Sequence, residues 1–369
     1  MLTALYGVVY ELLAMTLCLS GIGGHCFSII LLSRMSNPTN LLLISMSVSQ
    51  LILCVNFLFS TLHKYGSSEL CLSWLSSYFW TWIFLVSVNL SVIVHIIGVF
   101  HVTALSIIRY LSLRQLSNMT SNAVWFTYQK CIRTIALIYV SVLLLCGPIY
   151  FHSNVSKTDS PDPHCVEKYP HQANKTIYQL SFSKNENLHK INFWWFSIIC
   201  KLAPCVVLFI MSILILKQLK AIQAMSSRFT NQEKTNQHNR TTKIILIVMI
   251  VFICVELPQG ILNILQSQFE LPYLDVIWDF FELCTLLTSC IIFGLFLTMN
   301  SRLREAFLEV VSKNLAKFRP CCAPRTPDSC KEHLFDASST ELCRLTSEQN
   351  SRSIPNYEKH HRLLTRNAS

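Results

Sequence analysis

Long apolar runs and short polar breaks alternate seven times along this chain. The runs fall at about 6–33, 39–62, 78–112, 131–151, 192–219, 243–266 and 274–298. A helix needs about 20 mainly apolar residues to cross a bilayer, so each run predicts one spanning helix. Together they predict an all-α integral membrane protein, a seven-transmembrane helix bundle covering residues 1–313. After the seventh run, Leu303, Phe307 and Leu308 stand between charges, the pattern of a short amphipathic helix lying on a membrane surface. Residues 314–369 are rich in Ser, Thr and charge and read as a disordered tail with phosphorylatable hydroxyls. The first run is too long for a cleaved signal peptide and lacks a small-residue cleavage site.

Composition agrees. The 369 residues are 52% hydrophobic and 14% charged, with mean hydropathy +0.43, against about 25% charged in a soluble domain. The net charge of +10 does not imply nucleic acid, because the cations sit in short loops and a tail. Arg34 lies in the first loop. Arg109, Arg114 and Lys130 mark the third, and Lys217, Lys220, Arg228, Lys234, Arg240 and Lys243 the fifth. The second and sixth are nearly free of them. The positive-inside rule therefore places the N-terminus outside the plasma membrane and the tail in the cytoplasm. No internal repeat of the inverted-transporter kind is visible. No P-loop, HExxH, CxxC or GxSxG occurs, so the chain predicts no enzyme chemistry, no cofactor and no metal site.

Most of the 16 Cys lie in apolar runs, where they behave as small buried hydrophobes. Cys71 and Cys165 instead fall in two loops on the oxidising side, where a disulfide and two separate thiols both stay open. The same long loop carries N-glycosylation sequons at Asn154 and Asn174. Cys321 and Cys322, beside basic residues in the tail, read either as a palmitoylation site or as an inert pair.

The sixth run, Thr241–Leu265, holds the most telling misfit. Glu256 follows Lys243 by about 20 Å of helix, well inside the bilayer. Gln259 and Asn263 share its helical face. Pro204 and Pro258 predict kinks in the fifth and sixth spans. His95, Lys201, Glu256 and Glu282 stand out as ionisable groups within spans, where such residues mark function or a buried partner. Lys201 and Glu256 read either as a structural ion pair or as a switch that ligand alters. Glu282 and Asp279, one turn apart, read either as a solvated rim or as a site for a cationic ligand group. The tryptophans near span ends, Trp194, Trp195 and Trp278, are interfacial anchors by default.

Seven spans, an outside N-terminus and a helix after the last span resemble the rhodopsin-like G-protein-coupled receptors. Local segments narrow the likeness. They are Gly21-Ile22-Gly23-Gly24-His25, Ala104-Leu105-Ser106-Ile107-Ile108-Arg109-Tyr110, Lys201-Leu202-Ala203-Pro204-Cys205, Glu256-Leu257-Pro258-Gln259-Gly260 and Met299-Asn300-Ser301-Arg302. Over residues 20–310 they are similar to the invertebrate myosuppressin, FMRFamide-like neuropeptide and sex-peptide receptor group. The sequence departs from the wider class at several points. Ile108 precedes Arg109 in place of an Asp, Gln50 replaces an Asp, His25 replaces an Asn, and Ile292-Phe293-Gly294-Leu295-Phe296 replaces the seventh-span Asn-Pro-x-x-Tyr. Without that Asp, sodium modulation is not expected.

The resemblance implies a receptor for an extracellular neuropeptide, an amidated Arg-Phe peptide, with Glu282, Asp279, His95, Gln259 and Trp278 as ligand contacts. It implies Arg109 and Tyr110 as the surface facing a heterotrimeric G protein, with arrestin engaging the tail and lipid surrounding the bundle. A divergent chemosensory receptor of the same fold is the alternative. A transporter or channel is the rival from another class.

Overall fold

The computed structural model describes residues 2–34, 38–118, 126–158, 163–170, 176–182, 186–226, 232–266, 268–269, 274–299, 304–305, 307–309 and 311–312. Two units are distinguished, Met1–Val311 and Ser312–Ser369, and all elements named below belong to the first. The palmitoylation candidates Cys321 and Cys322, and the sequon at Asn174, lie outside the described residues.

The helices are α1 (Leu2–Leu32), α2 (Pro38–Ser68), α3 (Tyr78–Asn118), α4 (Tyr128–Leu145), α5 (Gly147–His152), α6 (Pro163–Lys168), α7 (Glu186–Trp195), α8 (Ala203–Ser226), α9 (Gln232–Gln266) and α10 (Leu274–Met299). A π-helical turn, Phe196–Leu202, joins α7 to α8. Strands β1 (Ser153–Thr158) and β2 (Ile177–Phe182) flank α6. Seven stretches are long and apolar enough to span a membrane, with α7, the π turn and α8 forming the fifth. The chain is a multi-pass membrane bundle. Helix α1 packs on α2 and α10, α9 packs on α8 and α10, and α3 touches α2, α4, α8 and α9 from the middle.

The sorting of faces is clearest on α9. Ile247, Ile250, Cys254, Leu257, Ile261 and Leu265 are exposed, in a stripe spaced three and four residues apart. The opposite face buries Ile245, Met249, Phe252, Glu256, Gln259 and Asn263. Both faces are largely apolar, so apolarity does not tell inside from outside in a bilayer. The few polar side chains do, because lipid offers them no hydrogen bonds. The same rule buries His101 between three helices. Its Nε2 meets Ser45 Oγ at 2.9 Å, its Nδ1 meets Ile97 O at 2.8 Å, and its ring stands edge-on to Tyr139.

Several boundaries differ from the hydropathy reading: α2 and α3 run on to Ser68 and Asn118, and α9 begins at Gln232. Helix α4 ends at Leu145 rather than 151, because Gly147-Pro148 opens a separate short helix, α5. The 152–191 loop is not featureless. β1 and β2 pair antiparallel from Ser153↔Phe182 to Thr158↔Ile177. The hairpin is fastened to the start of α3: Tyr178 N–H donates to Ser76 O at 2.9 Å, and Thr81 Oγ1 donates to Tyr178 O at 3.2 Å. Cys165 on α6 is disulfide-bonded to Cys71. Asn154 is exposed on β1.

Past α10, Phe307 turns into the bundle. Its ring meets Phe27 at 5.6 Å and Phe293 at 5.7 Å, both edge-to-face. Phe293 in turn fills a notch at Gly24, where an added Cβ would come within 2.7 Å of its ring. Leu308, the next residue, is exposed, as an amphipathic segment requires. Gly24→Val is expected to force Phe293 out of the notch and to cost about 1–3 kcal/mol. Thermal unfolding of purified protein in lipid nanodiscs reads this directly, and an unchanged midpoint would deny Gly24 its packing role.

Candidate functional site

A cavity of about 260 Å³ lies in the hairpin-side half of the bundle. Its lining comes from the N-terminal halves of α1, α3 and α10, the C-terminal halves of α2 and α9, and the π turn. Phe57, Phe84, Val88, Val92, Phe196 and Trp278 give it apolar walls. The polar and charged side chains sit in two tiers, one at the helix ends and one at the floor.

The floor is built on α9, the π turn and α3. Lys201 Nζ donates to Glu256 Oε2 at 2.9 Å and to Gln259 Oε1 at 2.5 Å. His95 Nε2 lies 2.9 Å from the other carboxylate oxygen, Oε1. That approach is off the line of a good hydrogen bond. Gln259 Nε2 reaches Phe281 O at 3.4 Å, tying the cluster to α10. Glu256 is 1% exposed and does not line the cavity, whereas Lys201, Gln259, Asn263 and His95 do. The carboxylate thus lies beneath a lid of donors.

Local backbone chemistry puts Lys201 there. Pro204 has no N–H to continue an α-helical ladder, and the preceding turn widens to π geometry, with Ala203 N–H reaching Ile198 O. The widened turn is accommodated by Gly260 on α9, where an added Cβ would meet Leu202 Cδ2 at 2.9 Å and Lys201 Cβ at 3.3 Å. Pro258, two residues on from Glu256, stays inside a continuous helix. Its ring lies on the exposed face, and the polar seam faces in.

The upper tier is acidic and basic together. Glu282 Oε2 accepts from Tyr10 OH at 2.5 Å, joining α10 to α1. Glu11 and Lys64 also line the cavity. Sequence reasoning passed over Tyr10, Glu11 and Lys64, although Glu11 carries the same signal as Glu256, an acid inside an apolar run. Asp279 departs from expectation. Trp278, Glu282 and Thr285 line the cavity at spacings of four and three, whereas Asp279 is not among the lining residues. It is turned by about 100° from Trp278 around the helix. Trp194, Trp195 and Phe280 are exposed, as interfacial anchors are.

At the other end, Arg109 Nε is buried without a hydrogen-bond partner among the described residues, and Ile108 beside it offers no carboxylate. Tyr110 packs on the apolar core there. Between the two ends, His25 Nε2 sits 3.0 Å from Ser289 Oγ, binding α1 to α10, and Gln50 is buried.

A family model described as "Serpentine type 7TM GPCR chemoreceptor Srw" matches residues 12–314. The chain is also similar to the Caenorhabditis elegans "G-protein coupled receptor dmsr-1". The two are 22% identical over 351 residues, which cover 83% of this chain and 68% of the relative.

Removing one member of a buried charge pair strands the other, at about 3–5 kcal/mol. Lys201→Met and Glu256→Leu are each expected to lose stability on that scale, and the double variant to lose clearly less than their sum. A double-mutant cycle on thermal midpoints measures the coupling, and additive losses would show the two side chains to be energetically independent.

Proposed function

The chain belongs to the serpentine 7TM GPCR chemoreceptor family Srw, and from that premise we propose that its cavity receives an amidated Arg-Phe neuropeptide. A G-protein-coupled receptor of this family takes an extracellular ligand and acts on a G protein. In the reading offered here the hairpin end faces outward, and the cavity opens to the peptide.

The observation that carries this reading is the pairing of acids with aromatic walls in one cavity. Glu282 and Glu11 provide carboxylates for a guanidinium, which such a group binds through two parallel hydrogen bonds. Phe57, Phe84, Phe196 and Trp278 provide the apolar faces a phenyl ring packs against. A cavity of about 260 Å³ accommodates the last residues of a peptide and leaves the rest to the hairpin and helix ends. Glu256 is too deep for first contact. It and Lys201 act as the switch, holding the resting arrangement of the fifth and sixth spans until ligand contact at Lys201, Gln259 or Asn263 favours another. Pro204 and Pro258 are where those helices bend in that change, and Arg109 and Tyr110 are the groups the G protein meets. The glycosylation of Asn154 and an arrestin contact through the tail belong to the same reading.

The family description favours a second reading, a chemoreceptor for a small molecule filling the same cavity. A panel of amidated Arg-Phe peptides and their free-acid forms, assayed for G-protein nucleotide exchange, separates the two. Dose-dependent exchange with the amides is expected, and silence across several G-protein backgrounds would remove the peptide reading. Glu282→Gln is expected to raise the half-effective peptide concentration about tenfold or more at unchanged surface expression. Equal potency would take Glu282 out of the binding site.

A further inference from the structure

The third span is open to its surroundings over only part of its length. No residue from 91 to 106 is exposed, because α2, α4, α8 and α9 enclose the helix there. Its hairpin-side start is different. Phe79, Trp82, Val86 and Leu90 are exposed, at spacings of three and four that make one outward stripe. The stripe does not stop where the helix begins. Trp74, in the loop before α3, is 52% exposed, and Tyr78 at the first turn is 57% exposed. The Trp74 ring stands edge-on to Trp80 at 5.1 Å. No Asp, Glu, Lys or Arg occurs from Leu70 to Ile108. We propose that the loop between the second and third spans does not stand in water, and that Trp74, Phe79 and Trp82 dock it into the headgroup–acyl boundary of the hairpin-side leaflet.

Three features fit lipid as the partner. The first is that the loop has two faces. Cys71, Leu75 and Thr81 are buried, and Leu75 fills the space over Gly66, where an added Cβ would come within 2.6 Å of its Cδ1. The aromatic rings are what remains outside. A contiguous apolar patch of that kind is unfavourable in water, and this one continues the stripe that α3 turns outward within its span. The second feature is the backbone. Leu72 N–H donates to Gly66 O at 3.0 Å, Leu75 N–H to Leu72 O at 2.9 Å and Ser77 N–H to Trp74 O at 3.2 Å, while Ser76 O accepts from Tyr178 N–H at 2.9 Å. A loop enters lipid at low cost only when its polar groups are paired within the protein. The third is the chemistry of the rings. Indole joins a large apolar body to one N–H, which suits the level where acyl chains meet headgroup oxygens. The same stretch holds the hairpin, through Ser76, Thr81 and the edge-to-face contact of Tyr78 with Tyr178 at 5.4 Å. The docked surface therefore also fixes the level of the hairpin relative to the leaflet.

The test reads single tryptophans. The full chain, with fluorotryptophan at its seven Trp positions, is placed in nanodiscs at one copy per disc and followed by fluorine NMR. Trp74→Phe and Trp82→Phe each remove one signal and so assign it. One sample then contains a phosphatidylcholine with a nitroxide beside its headgroup, and another a gadolinium chelate confined to water. Both signals are expected to broaden more with the nitroxide lipid than with the chelate, to the point of loss. The reverse order at Trp74 would put the loop in water and overturn the proposal. A Trp74 signal that survives both agents would show that protein covers the ring, and would overturn it equally. Should Trp74→Phe fail to fold, Trp74→Tyr assigns the same signal, and the broadening itself is measured on the unaltered chain. No ligand or G protein enters the measurement, so its outcome is separate from the fate of the peptide reading.

Discussion

A carboxylate deep in a bilayer has to be answered by cations, and much of the hairpin-side half of this molecule is arranged around that need. Glu256 lies at 1% exposure in the sixth span. Left alone there it would be costly by several kcal/mol. Lys201 answers it from the fifth span through three cooperating features of the local backbone. Pro204 breaks the α-helical ladder, the turn before it widens, and Gly260 gives that turn room to approach α9. The pair then welds two helices together through a contact that is strong when dry and easily upset by a competing partner. Hydrophobic packing alone would not have that property, since lipid competes equally for every apolar face.

The polar groups are graded along the cavity. Glu282 and Glu11 stand nearer the helix ends. Glu256 stands below, screened from the cavity by Lys201, Gln259 and His95. A ligand can therefore influence the buried acid only through its donors. On the function proposed above, that order gives binding and switching different residues. The hairpin above the cavity is itself held in two places, by the Cys71–Cys165 disulfide and by the hydrogen bonds of Tyr178 and Thr81 to the start of α3. The rim is thereby fixed to the helix that carries His95.

What the sequence made legible follows the physics of the bilayer. Seven runs gave seven spans because crossing length and apolarity are both one-dimensional quantities. The seam of Glu256, Gln259 and Asn263 was legible because a polar residue in an apolar run has only one tolerable face. The same logic applied to Glu11, whose meaning was masked by its nearness to a chain end. The hairpin was harder. Tyr178, Leu180 and Phe182 do alternate with Gln179 and Ser181, but β1, Ser-Asn-Val-Ser-Lys-Thr, has almost no apolar pattern. Its partner is fixed by the disulfide and by Ser76, which are tertiary facts. Asp279 shares a helical face with Glu282 at i and i+3, yet it is not among the residues that line the cavity, because which of two neighbours on a face reaches a cavity is a tertiary fact. The π turn could not be read from spacing, because it shifts the register by which spacing is counted.

That shift matters beyond bookkeeping of faces. A π turn carries one more residue than an α turn, so the side chains after it point elsewhere than a regular helix would aim them. Lys201 meets Glu256 through an irregularity, and an irregular turn is cheaper to rearrange than a regular helix is to bend. A bilayer protein that must respond to a ligand needs one contact strong enough to define a resting state and one backbone element soft enough to release it. Here the two coincide within seven residues, Phe196–Leu202. The buried acid therefore does more than tolerate its depth. Its demand for a cation is met from the π-helical turn of the fifth span.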